Sequence, residues 1–213
     1  EKLSSRVESL QDQLFTMLSS NEFAEIKEKI NQSDDLQADT EIVSFFSMVF
    51  ESWENKNDYI KQVFAVTPTD MYFTLSTETL RSKKDFDDNV RAYLAGIDTD
   101  LRLYSGFSME NVFYQTAGRV IPMVYTYKSQ SPSVMIQFVF LLDETYLRLQ
   151  MSTGDTIGTL LIVDENGMPV IEVKNPVIKQ MLADEDALST IMAGTNVMEN
   201  VHFDNERFYT ICC

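Results

Sequence analysis

A single histidine, two cysteines, seven glycines and few basic residues set the first limits on this chain of 213 residues. With His202 alone there is no second imidazole for a zinc site and no support for a histidine-based catalytic centre, so His202 reads as a structural or exposed residue. Cys212 and Cys213 are neighbours, and adjacent cysteines pair badly because a disulfide wants Cα atoms about 5.5 Å apart. Without a CxxC or a spaced cysteine framework, cysteine usage leaves the redox compartment open. Lys and Arg total 17 against 33 Asp and Glu, a formal charge of −16. That balance argues against nucleic-acid binding, which needs clustered cations. No apolar run reaches the roughly 18 residues of a membrane span. Neither a Gly-x-Ser-x-Gly elbow, a phosphate-cradling loop nor a GxGxxG turn occurs, and no nucleophile–base pair can be named. The acidic groups Asp34-Asp35, Asp85-Asp87-Asp88 and Asp184-Glu185-Asp186 lack calcium-loop spacing and read as solvated helix starts. These absences lead us to expect a non-enzymatic protein with no metal and no cofactor.

What is present is ordinary globular composition, 44% hydrophobic and 23% charged, at a length suited to one large domain or two small ones. Leu3, Val7, Leu10, Leu14 and Met17 recur at steps of four and three, the spacing of a coiled-coil seam. Two readings of that helix stay open: an amphipathic helix laid on its own domain, or a stalk continuing from a membrane span. A start without Met and a strand closing on two cysteines suggest a piece of something longer. A second helix carries Phe23, Ile26 and Ile30, and residues 31–39 read as a loop. Asp39 or Thr40 is the expected cap of a third helix whose apolar face holds Ile42, Phe45, Phe46, Val49, Phe50 and Trp53.

Beyond residue 58 the period changes from helical to alternating. Residues 59–66 and 71–75 read as strands joined by the turn Thr67-Pro68-Thr69-Asp70. Asp85 is placed as the cap of a helix reaching Leu94, with Gly96 past its end. A short strand over 111–116 and two strong ones over 119–128 and 134–142 follow, the last apolar almost throughout and therefore central. Short turns between sequential strands imply a five-stranded antiparallel sheet with helices on one face, the arrangement of PAS-like sensor modules. A short helix over 143–151 leads out. A second unit opens near Thr156 with strands over 159–163 and 168–173 about the turn Asp164-Glu165-Asn166-Gly167. Asn175-Pro176 starts a helix to Ala183, another spans 185–192 and ends at Gly194, and one further strand begins at His202.

Three stretches carry a family likeness: Asn57-Asp58-Tyr59-Ile60-Lys61-Gln62-Val63-Phe64 entering the sheet; residues 138–142 with the helix after them; and Ile162-Val163-Asp164-Glu165-Asn166-Gly167-Met168-Pro169-Val170. On these the chain resembles the extracytoplasmic double Cache sensor regions of bacterial membrane receptors. The version it looks most like occurs in membrane-anchored AraC-type transcriptional regulators and some sensor histidine kinases. The resemblance implies an α+β fold: a long N-terminal helix, a membrane-distal PAS-like antiparallel sheet with helices, and a partial second PAS-like module. It also implies three parts: helical stalk and packing helices at 1–58, distal sensor module at 59–150, incomplete proximal module at 151–213. Membrane spans on both sides, a place on the extracytoplasmic face, a cytoplasmic transcriptional or kinase output, and a homodimer through the N-terminal helix belong to the same expectation.

A small-molecule ligand of such a module would lie between the sheet and the helices and loops over it, in a pocket mostly apolar with a few placed polar groups. Tyr72, Arg102, Tyr104, Tyr114, Tyr125, Tyr127 and Gln137 are the candidate ligand residues, with Asn111 nearby and Arg102 and Arg119 suited to an anion. Tyr125 and Tyr127 are two apart and share a strand face. Gln137 is the polar side chain within 134–142 and needs a partner in protein, water or ligand. The Arg, Trp-Tyr, Tyr and Asp pattern of amino-acid-binding double Cache domains does not occur before Arg119, so an amino-acid ligand is not carried over. A dimerising scaffold and a stand-alone secreted binding protein remain alternatives.

Overall fold

The computed structural model describes residues 2–31, 36–73, 83–95, 97, 102–104, 106–108, 118–151, 162–163, 167–193, 199–203 and 206–210. Three helices open the chain: α1 (Lys2–Leu18), α2 (Asn21–Asn31) and α3 (Leu36–Lys56). Heptad spacing places Leu10, Leu14 and Met17 on one stripe of α1, and all three are buried. From Leu10 onward the seam is therefore laid on the chain's own body. Ser20 starts α2, its hydroxyl accepting from the Phe23 amide at 3.0 Å. α3 begins at Leu36, ahead of Asp39 and Thr40, so neither residue is the cap. The good helix formers Leu36, Gln37 and Ala38 account for the earlier start.

β1 (Ile60–Val66), β2 (Met71–Phe73), β3 (Arg102–Leu103), β4 (Phe107–Ser108), β5 (Arg119–Gln130) and β6 (Ser133–Asp143) form one antiparallel sheet. Its order is β2-β1-β6-β5-β3, with β4 also paired to β5. β6 is central, as its apolar run requires. Among the described residues the sheet has six strands: β1, β2, β5 and β6 are four of the five expected, and β3 and β4, in a stretch given no strand from sequence, break up the edge beside β5. The break has a local cause in Pro122. The Pro122 carbonyl accepts from the Tyr104 amide at 2.9 Å, so its ring nitrogen, which has no N–H, faces the same edge. The expected strand over 111–116 lies outside the described residues, as does Gly96. β5 and β6 run further than predicted, leaving only Ser131-Pro132 between the paired Gln130 and Ser133. α4 (Lys83–Leu94) connects β2 to β3 and starts before Asp85, which lies inside the helix instead of capping it.

Helices lie on both faces of the sheet, not one. On one face Phe23 of α2 and Phe46 of α3 meet Phe138, and Trp53 meets Phe140 with ring centroids 5.5 Å apart. On the other, Val90 and Leu94 of α4 close a buried cluster with Phe64, Val66, Val120, Val124, Val139 and Leu141. Alternation along β1, β5 and β6 supplies both sets. After β6, α5 (Glu144–Met151) is capped by Asp143, whose carboxylate accepts from the Tyr146 amide at 2.9 Å.

Two compact units make up the chain, Glu1–Thr156 and Ile157–Cys213. In the second, Val163 and Pro169 form an isolated bridge where two strands were expected; Pro169 has no N–H with which to extend a ladder. Gly167 turns that loop at φ +76°. α6 (Pro176–Ala183) has Asn175 as its cap and Pro176 in its first turn, and α7 (Glu185–Ala193) follows. Val173, Ile178, Met181, Ala187 and Ile191 form the core of this unit. The single strand expected from His202 is a hairpin, β7 (Glu199–Phe203) paired with β8 (Glu206–Thr210).

Candidate functional site

A cleft of about 390 Å³ lies on the α4 side of the sheet. Its floor is one row across three strands: Val66 of β1 pairs with Gln137 of β6, which pairs with Thr126 of β5. Lys128 and Met135 form the next row, and α4 supplies Arg91, Leu94 and Ala95, with Ile97 just beyond its end. Thr67 and Pro68 of the β1–β2 turn close one side.

Each wall is held by its own bonds. Thr67 ties the turn, its hydroxyl accepting from the Asp70 amide at 2.9 Å. Arg91 donates from Nη1 to the carbonyls of Thr67 at 2.8 Å and Pro68 at 3.2 Å, fixing α4 to that turn and bringing its charge to the cleft. Gln137 donates from Nε2 to the Ile97 carbonyl at 2.9 Å, which answers its need for a partner within the protein. The Thr126 hydroxyl is different: Oγ1 is buried and has no hydrogen-bond partner among the described residues. A buried hydroxyl left unpaired costs about 1–3 kcal/mol, so a polar partner at this point of the cleft floor would be stabilising. Behind the cleft, Tyr93 and Tyr104 pack against the buried cluster. Burial, and secondarily the neighbouring Tyr104, push the Tyr93 phenol well above the ordinary tyrosine range.

The candidate residues read from sequence do not all meet. Gln137 lines the cleft. Tyr104 is half-buried at the edge of the same face. Tyr72, Tyr125 and Tyr127 lie on the opposite face, against the N-terminal helices. Tyr72 stacks on Phe46 at 5.1 Å, Tyr125 meets Phe15 edge-on at 5.6 Å, and Tyr127 meets Phe23 edge-on at 5.3 Å. Arg102 is placed by its backbone pairing with Val124. Tyr114 and Asn111 lie outside the described residues. Arg119 donates from Nε to Glu144 at 3.0 Å and from Nη2 to the Gly106 carbonyl at 2.9 Å, so it serves as a strut between β5 and α5.

Thr126, Arg91 and Lys128 were missed by the sequence reading. A usable signal existed for Thr126: it stands between two tyrosines on a strand, so it faces away from both. A second polar cluster joins the elements at the other end of this unit. Arg6 of α1 lies over the rings of Tyr59 and Tyr146, 4.7 and 5.2 Å from their centroids, and donates to the Tyr146 hydroxyl at 3.2 Å. Tyr59 donates to Asn57 Oδ1 at 3.0 Å, and burial raises its phenol while Arg6 lowers it.

No family model and no curated protein matches the sequence. Solved structures do. One is the extracellular domain of a candidate histidine kinase, with a TM-score of 0.50 at 10% identity over 97% of this chain and 86% of that one. The fold is that of this extracellular domain. Also similar are the ligand-binding domain of a Pseudomonas fluorescens chemoreceptor in complex with L-serine (TM-score 0.47, 15% identity, 97% and 86% of the two chains) and that of a Campylobacter jejuni chemoreceptor in complex with L-norvaline (TM-score 0.44, 10% identity, 94% and 80%). No helix among the described residues is long and apolar enough to cross a membrane.

Proposed function

We propose that the chain is a non-enzymatic sensor region of the double Cache kind, whose first unit takes a small-molecule ligand in the cleft beneath α4. The unpartnered Thr126 hydroxyl in the cleft floor carries this reading. Val66, Leu94, Ile97 and Met135 would receive an apolar body, Thr126 and Gln137 a polar group, and the cationic Arg91 and Lys128 an anionic one. A mainly apolar ligand with an acceptor or anionic end is the chemistry that this lining fits.

In this reading the parent protein is membrane-anchored, the chain lies on the extracytoplasmic face, and a cytoplasmic AraC-type transcriptional or kinase output follows. A ligand that binds one conformation better than another would shift the populations read by that output. Pairing of two copies through α1 belongs to the same proposal. With Leu10, Leu14 and Met17 buried against their own chain, such pairing would use the first turns and the half-exposed Phe15.

The experiment is a thermal-shift screen of organic acids, sugars and amino acids, repeated on Thr126→Val. Binding at a hundred times the dissociation constant stabilises by about 2.7 kcal/mol. A hit whose shift is reduced in the variant supports the cleft as the site. A hit unchanged by the variant places binding elsewhere. Silence across the panel would favour the scaffold reading.

A further inference from the structure

We propose that β5 passes the state of the cleft through the sheet to α1 and α2. This inference rests on the cleft being the ligand site and assigns that site its route of regulation. Three consecutive residues carry it. Thr126 faces the cleft, while its neighbours Tyr125 and Tyr127 face the other way, one edge-on to Phe15 of α1 and the other edge-on to Phe23 of α2. The arrangement is repeated on β6, where Gln137 lines the cleft and its neighbour Phe138 packs against Phe23.

Successive strand residues share one backbone, so a displacement of the backbone at Thr126 carries the Cβ atoms of Tyr125 and Tyr127 with it on the other face. An occupant that engages Thr126 and competes for the Gln137 amide also breaks the bond from Gln137 to the Ile97 carbonyl, which ties the end of α4 to the sheet. Both changes act on the two strands whose opposite face holds α1 and α2. Edge-to-face ring contacts depend steeply on distance and angle, and both tyrosine contacts are close to perpendicular, at 82°. Phe15 is 45% exposed, so its ring has room to follow. α3 also reaches Phe138 through Phe46, but it is anchored besides by Phe46 on Tyr72 and Trp53 on Phe140, so it responds less than α1 and α2.

The test needs no ligand. In the full 213-residue chain, Thr126→Met fills the cleft floor, and amide hydrogen exchange is followed by mass spectrometry. Exchange in residues 2–31 should change by about threefold or more, with a smaller change in α3, and replacing Tyr125 and Tyr127 by Leu should abolish that response to the methionine. A folded Thr126→Met chain with α1 and α2 exchanging as in the wild type overturns the proposal. So does a response that persists without the two tyrosines. Should methionine unfold the chain, Thr126→Ile, which keeps a β-branch suited to a strand and still adds bulk to the cleft floor, is read by the same criteria. Because the coupling is read without a ligand, it fails independently of the ligand site: a screening hit with no exchange change in α1 or α2 sinks the coupling alone.

Discussion

At Thr126 the proposed ligand site turns on a single hydroxyl. Replacing it with the isosteric valine removes an unpartnered polar atom from a buried place. The ligand-free chain should therefore become more stable by about 1 kcal/mol, read as a higher urea midpoint, while any ligand response weakens. A gain in stability with loss of response is what distinguishes a binding group from a structural one. Tyr93 gives a second residue-scale test. Its phenol is raised mainly by burial, so the folded chain keeps the proton that the unfolded chain loses near pH 10. The unfolded state then binds fewer protons than the folded one, and stability falls as pH rises. The contribution of Tyr93 is intact below about pH 10 and declines as pH climbs toward the folded-state value. Urea midpoints measured from about pH 8 to about pH 11 should drop less steeply in Tyr93→Phe than in the wild type.

At the scale of elements, the joints between them hold the testable energy. Glu144 is buried at the start of α5 and accepts from Arg119 of β5 at 3.0 Å and from Arg148 one turn on at 2.8 Å. Glu144→Gln would leave two guanidinium groups facing a neutral amide, each about one third exposed. We expect a loss of about 2 kcal/mol in urea unfolding, below the figure for fully buried pairs because water reaches both arginines. In the second unit the turn at Gly167 is constrained twice. Its φ of +76° disfavours any side chain, and a Cβ there would stand 2.8 Å from Leu188 Cδ1 of α7. Gly167→Ala should cost about 1 kcal/mol and speed amide exchange in α6 and α7, with the first unit unaffected.

Over the whole molecule the charge dominates. A net −16 produces self-repulsion that favours expansion. Raising sodium chloride from about 0.02 M to about 0.5 M shortens the screening length severalfold, so the melting temperature should rise by a few degrees. A melting temperature that falls with salt would mean that attractive pairs such as Lys61 with Asp143 outweigh the repulsion.

Much of the architecture could be read in advance. The helical period of residues 3–17, the apolar face from Ile42 to Trp53, the turn at Thr67–Asp70 and the cap at Asn175 all depend on neighbours within a turn or a hairpin. The central place of β6 followed from its unbroken apolar run. Strand alternation determined that Tyr125 and Tyr127 share a face and that Thr126 takes the other. Which layer covers each face was a separate matter. It was decided by α2 and α3 reaching Phe138 and Phe140 from far back in the chain, and by α4 closing over Val66 and Val139. Tyr72, Tyr125 and Tyr127 thus became supports for helices, and the cleft formed on the face that Thr126 and Gln137 line. The physical reason is range: side-chain period is a local property of the backbone, whereas the burial of one sheet face or the other is settled by apolar surface that only the folded chain brings together.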